Sequence, residues 1–204
     1  MQIDHVMYAV RELSDASAWF ADAFGLRAVA GGAHPQWGTA NAIIPVGNGQ
    51  YIELITVSDH ASTHPLARFL SGLVSDGDRP VAICLRPDDL DATARRLDLD
   101  ISDGERVKPD GQVLRWRLAG VAHALGSDRL PFFIEWPGGG ANPELDGTVS
   151  AGAGVAWAEF GGDADTLGRW MGGAQSVISV VPGGPGVRRL AIRHANETVV
   201  IGGR

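Results

Sequence analysis

This sequence predicts an α+β fold: repeated β-α-β-β-β modules whose curved mixed sheets enclose a cleft. The chain restates itself about eighty residues apart, a period too long for a stacked solenoid. IDHVMYAVREL (Ile3 to Leu13) is answered by PVAICLRPDDL (Pro80 to Leu90), and QYIELITV (Gln50 to Val57) by PFFIEW (Pro131 to Trp136). The strand candidates alternate side chains with period two, and Gly47-Asn48-Gly49 is a strong hairpin signal between two of them. A third, weaker copy occupies the remainder, where DADTLGRWMGG parallels the earlier DASAWFADAFG.

Taken in order, the first strand places Ile3, His5 and Met7 on one face and Asp4, Val6, Tyr8 and Val10 on the other. Ser14 or Asp15 offers an N-cap to a helix with the apolar stripe Ala18, Trp19, Ala21 and Phe24, ended by Gly25. Strands follow at 26–30, 38–46 and 50–57. The last puts Tyr51, Glu53, Ile55 and Val57 on the open face and Ile52 and Leu54 under the helix. A connector helix spans 63–74, with Pro65 near its start.

The second copy has Val81, Ile83 and Leu85 helix-side, with Ala82, Cys84 and Arg86 on the open face. Its helix covers 88–97 and its late strands 112–119 and 131–136, with Asp110-Gly111 as a turn. The third copy reads as strand 155–160, helix 163–171 and strands 177–181, 187–194 and 198–201. The expected division is therefore 1–140, paired modules at 1–60 and 78–140 around the cleft, and 141–204, the degenerate third module. That module needs cover for its apolar face, either from the connector helix around Leu66 to Leu73 or across a two-fold homodimer.

Composition narrows the partners. Hydrophobic residues make up 45% and charged ones 20%, as in ordinary globular domains. A formal net charge of −7 lacks the basic face that nucleic acid or an anionic membrane requires. No apolar run approaches the ~20 residues of a membrane span, and the first residues read as strand rather than signal peptide. The single cysteine, Cys84, rules out an internal disulfide and fits a reducing, cytoplasmic setting. A small-molecule ligand is the expected partner.

Registering Leu13 on Leu90 sets His5 opposite Ala82, and registering the last strands sets Glu53 opposite Glu135. Three of these four positions carry metal-ligating side chains. The loop 33–41 gathers His34, Trp37 and Asn41 just before a cleft strand, the mix of aromatic wall and oriented polar atoms that small-molecule pockets use. Arg115 and Arg117 share a strand face with Trp116 on the other. With Trp116 under the helix, the arginines face the cleft, where Arg86 joins them in clamping an anionic group; on the outer face they are ordinary solvated charges.

The segments IDHVMYAV, AWFADAFGLRAVAGG, HPQWGTANAIIPVGNGQYIELI, LRPDDLDATARRL, GQVLRWRL and LPFFIEW together resemble the vicinal oxygen chelate superfamily, and within it the glyoxalase-like domains. The resemblance covers residues 2 to 140. It implies paired modules curled around a cleft, commonly with one divalent metal. The superfamily includes isomerases, epimerases, ring-cleaving dioxygenases, thiol transferases and drug-binding resistance proteins, so it implies fold more firmly than reaction.

Carried over by position, it implies His5, Glu53 and Glu135 as ligands to Zn, Mn, Ni or Fe, with Ala82 where a second histidine often stands. Glu135 and His34 are then the catalytic candidates, and His34, Trp37, Asn41, Arg86, Arg115 and Arg117 the substrate-binding ones. Against this, His5 can be a hydrogen-bonded strand residue and Glu53 a partner of Arg86 or Arg117. Asn142-Pro143 stands where the resemblance usually brings His-Pro. Two readings remain open. One is a metal-dependent lyase, isomerase or dioxygenase acting on an anionic or vicinal-oxygen compound. The other is a metal-free binding or sequestering protein.

Overall fold

A computed structural model describes residues 1–107, 111–145, 154–173, 177–194 and 197–204. The first unit runs β1 (Gln2–Ala9), α1 (Leu13–Phe24), β2 (Val29–His34), β3 (Thr39–Gly47) and β4 (Gln50–Val57). After the connector α2 (Pro65–Val74) comes β5 (Arg79–Arg86), α3 (Leu90–Leu97) and β6 (Ile101–Val107). Next are β7 (Val113–Ala119), the short α4 (Val121–Leu125) and β8 (Phe132–Glu135). The last unit is β9 (Gly154–Gly161), α5 (Ala164–Met171), β10 (Ile178–Val181), β11 (Gly186–His194) and β12 (Glu197–Ile201). Neither β6 nor α4 was legible in the hydrophobic pattern. The expected Asp110-Gly111 turn includes Asp110, outside the described residues.

Local chemistry accounts for most boundaries. Gly25 ends α1 in the left-handed region (φ 68°), its N–H donating to Ala21. Helix α1 begins one residue before the expected cap, at Leu13, so Asp15 sits in its first turn, where it favours the helix dipole. His64 Nδ1 accepts from Leu66 N at the start of α2, with Pro65 as first helical residue. Asp89 and Asp163 cap α3 and α5 through the N–H groups of Ala92 and Thr166, both at 2.7 Å. Asn48 (φ 55°) and Gly49 (φ 67°) form a two-residue turn between β3 and β4.

The first two units join edge to edge into one eight-stranded sheet of order β2-β3-β4-β1-β5-β8-β7-β6, with β1 and β5 antiparallel at its centre. It curls until its two ends meet. Gln36 Nε2, in the turn after β2, donates to Glu105 O on β6 at 3.0 Å. A Cβ on Gly32 would lie 2.9 Å from Arg106 Cδ and 3.0 Å from Val107 O, so glycine permits the approach.

Two bulges at the central seam overturn part of the expected alternation. Asp4 and His5 together face Cys84, and Val81 is the extra residue where Met7 pairs Ala82 and Tyr8 pairs Pro80. Each bulge turns two consecutive side chains to one side. Ile3 therefore joins Val6 and Tyr8 in the core beneath the helices, while Val81 joins Ala82 and Cys84 on the cleft side. The bulges are related by the internal duplication that maps His5 to Ala82 and Met7 to Cys84, because His5 pairs Cys84 just as Ala82 pairs Met7.

The last unit has the element order of a β-α-β-β-β module but pairs differently. Its first strand is interior, in the order β10-β9-β11-β12, whereas β1 pairs with β4. It does not sit on the connector helix. Its apolar face (Val155, Ala158, Phe160, Leu190, Ile192) packs with Trp170 of α5 into the core under α1 and α3, over β1 and β5. Docking there buries the apolar helix-side face of the main sheet together with that of the last unit. Specific bonds fix it there: Tyr8 Oη to Gly202 O at 2.8 Å, Trp170 Nε1 to Pro131 O at 2.7 Å, and Gln50 Oε1 receiving Val155 N at 2.8 Å. Among the described residues, no helix is long and apolar enough to cross a membrane.

Candidate ligand cavity

The concave side of the curled sheet encloses a cavity of about 310 Å³, within the size range of small-molecule pockets. Two helices close it. Leu66 and Phe69 come from α2, and Val121, Ala124 and Leu125 from α4, a stretch whose sequence reads as loop. Trp37, Trp116 and Trp136 form an aromatic wall, with Trp116 6.1 Å from Trp37 and 5.6 Å from Trp136 between ring centres. Trp116 can lie there because its strand neighbour is Gly104, where an added Cβ would fall 2.3 Å from the indole nitrogen.

The polar end belongs to the first unit. His5 is 4% exposed and stacks on Tyr51 at 4.6 Å, with Phe132 edge-on at 5.7 Å. His5 Nδ1 lies 2.9 Å from Asp4 Oδ1, and His5 Nε2 3.6 Å from Glu53 Oε2. Asn41 Nδ2 donates to Glu53 Oε1 at 2.7 Å, while Asn41 Oδ1 accepts from Gly32 N at 3.0 Å. The Tyr51 hydroxyl bonds the Asn142 side chain, yet burial and the neighbouring Asp4 and Glu53 hold it well above the usual phenol range. Burial raises the Cys84 thiol in the same way, so it is kept as a protonated, unreactive sulfur.

His34, 2% exposed, lines the cavity with Nδ1 3.1 Å from Thr39 Oγ1. Burial lowers its pKa below the ordinary imidazole value of 6.5; Glu53 opposes the shift and Arg106 adds to it. The segment expected to be a loop is therefore mostly strand. β2 runs to His34, β3 starts at Thr39, and only the turn carrying Trp37 lies between them.

Of the anticipated site residues, His5, Glu53, His34, Trp37 and Asn41 line one cavity. Glu135 does not. It pairs Arg117 across the strands and accepts from Arg117 Nη1 at 2.8 Å, on the face opposite Phe132 and Ile134. The true counterpart of Glu53 is Phe132, since Met7 pairs Glu53 and its equivalent Cys84 pairs Phe132. Matching the strands by their ends displaced the register by an odd number of residues, which turns the side chain to the other face.

The arginines are corrected by the same parity. Trp116 points into the cavity, so Arg117 lies outside on Asp91 at 2.6 Å and Arg115 on Glu105 at 3.3 Å. The hydrogen bonds that Arg117 donates to Asp91 and Glu135 hold it well above the usual guanidinium range. Arg86 stands behind the cavity, donating to Asp4 Oδ2 at 3.0 Å. The buried guanidinium that does line it is Arg106, on the unforeseen β6. His64, Ser102, Asp103 and Asn142 also line the cavity without having been expected there, and Asp4, bonded to His5, was assigned to the other face because the bulge inverts its parity. For His64, the cap-and-proline pattern ahead of α2 was the available signal.

The sequence profile of the glyoxalase-like domain matches residues 3–172. The chain belongs to this family. Solved structures with the same fold include variants of methylmalonyl-CoA epimerase from Streptomyces coelicolor in complex with 2-nitronate-propionyl-CoA. One is 16% identical at a TM-score of 0.50, over 67% of this chain and 98% of that one; another is 17% identical at 0.50, over 69% and 98%. Methylmalonyl-CoA epimerase from Mycobacterium tuberculosis aligns with 23% identity and a TM-score of 0.49, over 71% and 91%. No curated protein matches the chain. As a glyoxalase-like domain the protein is a member of the vicinal oxygen chelate superfamily, whose fold implies a divalent metal between the two modules. The donors here do not fit one. The second unit offers Ala82 and Phe132 at the ligand positions, and among the described residues no three His, Cys, Asp or Glu side chains are grouped to hold an ion.

Proposed function

We propose that this glyoxalase-like protein binds a compact, largely apolar or aromatic organic molecule in the enclosed cavity without a metal ion. The observation that carries the reading is the pairing of an intact aromatic enclosure with apolar residues, Ala82 and Phe132, at half of the family's ligand positions. The wall of three tryptophans supplies area at low entropic cost, and the His5–Glu53–Asn41 end supplies orientation. With Arg115 and Arg117 outside, the arginine clamp for an anion loses its support.

Titration with naphthalene, followed by tryptophan fluorescence, is the test. Quenching that saturates, and that Leu118→Trp abolishes by filling the cavity, supports the reading. Protein that retains one equivalent of Zn, Mn, Ni or Fe(II) after dialysis, measured by elemental analysis, overturns its metal-free part. A proton-transferring enzyme is the second reading, favoured by one observation: His34 is buried against the cavity and held neutral, able to accept or pass a proton near neutral pH.

A further inference from the structure

The polar end of the cavity is built from acceptors. Asp4 Oδ2 accepts from Arg86 Nη1 at 3.0 Å and from Trp136 Nε1 at 3.1 Å, which leaves Oδ1 for His5 Nδ1 at 2.9 Å. A carboxylate oxygen accepts, so Nδ1 carries a hydrogen, and the imidazole in its neutral form presents a lone pair at Nε2. That lone pair is 3.6 Å from Glu53 Oε2, too far for a hydrogen bond. The other Glu53 oxygen is engaged by Asn41, whose amide is oriented in turn by Gly32 N–H. Two acceptors on neighbouring strands thus face one enclosed space, and one of them carries a negative charge. Arg86 matches the charge of Asp4; among the described residues the ion-pair contact of Glu53 is to His5 alone.

We propose that this end receives an organic ammonium group, a primary amine on an apolar or aromatic body, donating to His5 Nε2 and Glu53 Oε2 together. The proposal rests on the small-molecule reading above and names the chemistry of its ligand. An ammonium nitrogen has three donors and can lie about 2.8 Å from both acceptors at once. It neutralises a largely buried carboxylate, and the rings of Tyr51 and Phe132 beside the imidazole attract a cation. A hydroxyl has one proton for two acceptors, and a carboxylate adds negative charge to a site already negative. The remaining charged or titratable groups on the cavity wall are Asp103, Arg106, His34 and His64, of which Arg106 is the one that favours an anion.

Three probes with the same ring and chain but different head groups decide the matter: 2-phenylethylamine, 2-phenylethanol and phenylacetate. Each is titrated into the full chain by calorimetry at neutral pH. The amine should bind at least about tenfold more tightly than the other two, and Glu53→Gln should remove at least about tenfold of its affinity while leaving the alcohol within about threefold. The ranking on the unaltered protein decides even where the variant fails to fold. Alcohol or phenylacetate binding as tightly as the amine overturns the ammonium site and leaves the cavity reading standing. No binding of any of the three overturns both.

Discussion

At the bulge of β1 stand Asp4 and His5; at the equivalent bulge of β5 stand Val81 and Ala82. Beside them, β4 brings Glu53 and β8 brings Phe132 to equivalent places. The backbone irregularity is the same in both halves, and so is the direction in which the side chains point. Only the chemistry differs. The first half supplies Asp4 and His5, and beside them Glu53 with Asn41; at the matching positions the other supplies apolar surface, and its Arg86, at the end of β5, serves the first half by bonding Asp4. A duplicated scaffold can therefore hold its shape while one copy gives up its polar groups, because the bulge belongs to strand pairing and not to the residues that use it.

The contrast is broken most severely at Asp4. Its carboxylate is fully buried with three partners, so Asp4→Ala strands a partly buried guanidinium, a buried indole N–H and the His5 ring and should cost about 3–5 kcal/mol. Val81→Ala, at the matching position, removes only packing and should cost roughly 2 kcal/mol. Urea unfolding of both variants checks this; equal losses would show that the polar chain is not what holds the first half.

Ala82→His combined with Phe132→Glu rebuilds the missing donors. It should raise zinc affinity at least about 100-fold over the unaltered protein, or about 2.7 kcal/mol, read by calorimetry. Unchanged zinc affinity would mean that the two halves are not geometrically equivalent after all.

The smallest effect expected is that of pH through His34. Burial lowers its pKa in the folded protein, so between that value and the unfolded 6.5 the unfolded chain binds the extra proton. Stability from this residue is complete above pH 6.5 and declines as pH falls below it. His34→Gln should flatten that decline in thermal melts collected across the weakly acidic range, and an unaltered pH slope would show that His34 is not the group responsible.

Much of this was legible in the chain. Period-two alternation placed Tyr51, Glu53 and Ile55 on the cavity side of β4, and the Asn-Gly turn placed β3 beside it. Gly25 ended its helix where its lack of a Cβ allows. Alternation failed where a strand departs from strict period. The bulges moved Asp4 and Val81 across the sheet, and β7 was read in the wrong parity because the helix-side face was assigned to its tryptophan. β6, with Ser102, Asp103, Gly104 and Glu105, has no apolar rhythm to detect, and the cavity arginine was lost with it.

The sequence by itself determined the duplicated plan, most of the helix ends and the placing of Tyr51 and Glu53 on the same face as His5, because these depend on local propensity and on period within single strands. Tertiary structure decided which residue of the second half opposes Glu53, which face carries the arginines, and where the third unit docks. Those depend on register between distant strands and on which apolar surface is left open once the sheet has curled. A shift of an odd number of residues changes little along the chain and reverses every side chain in the fold.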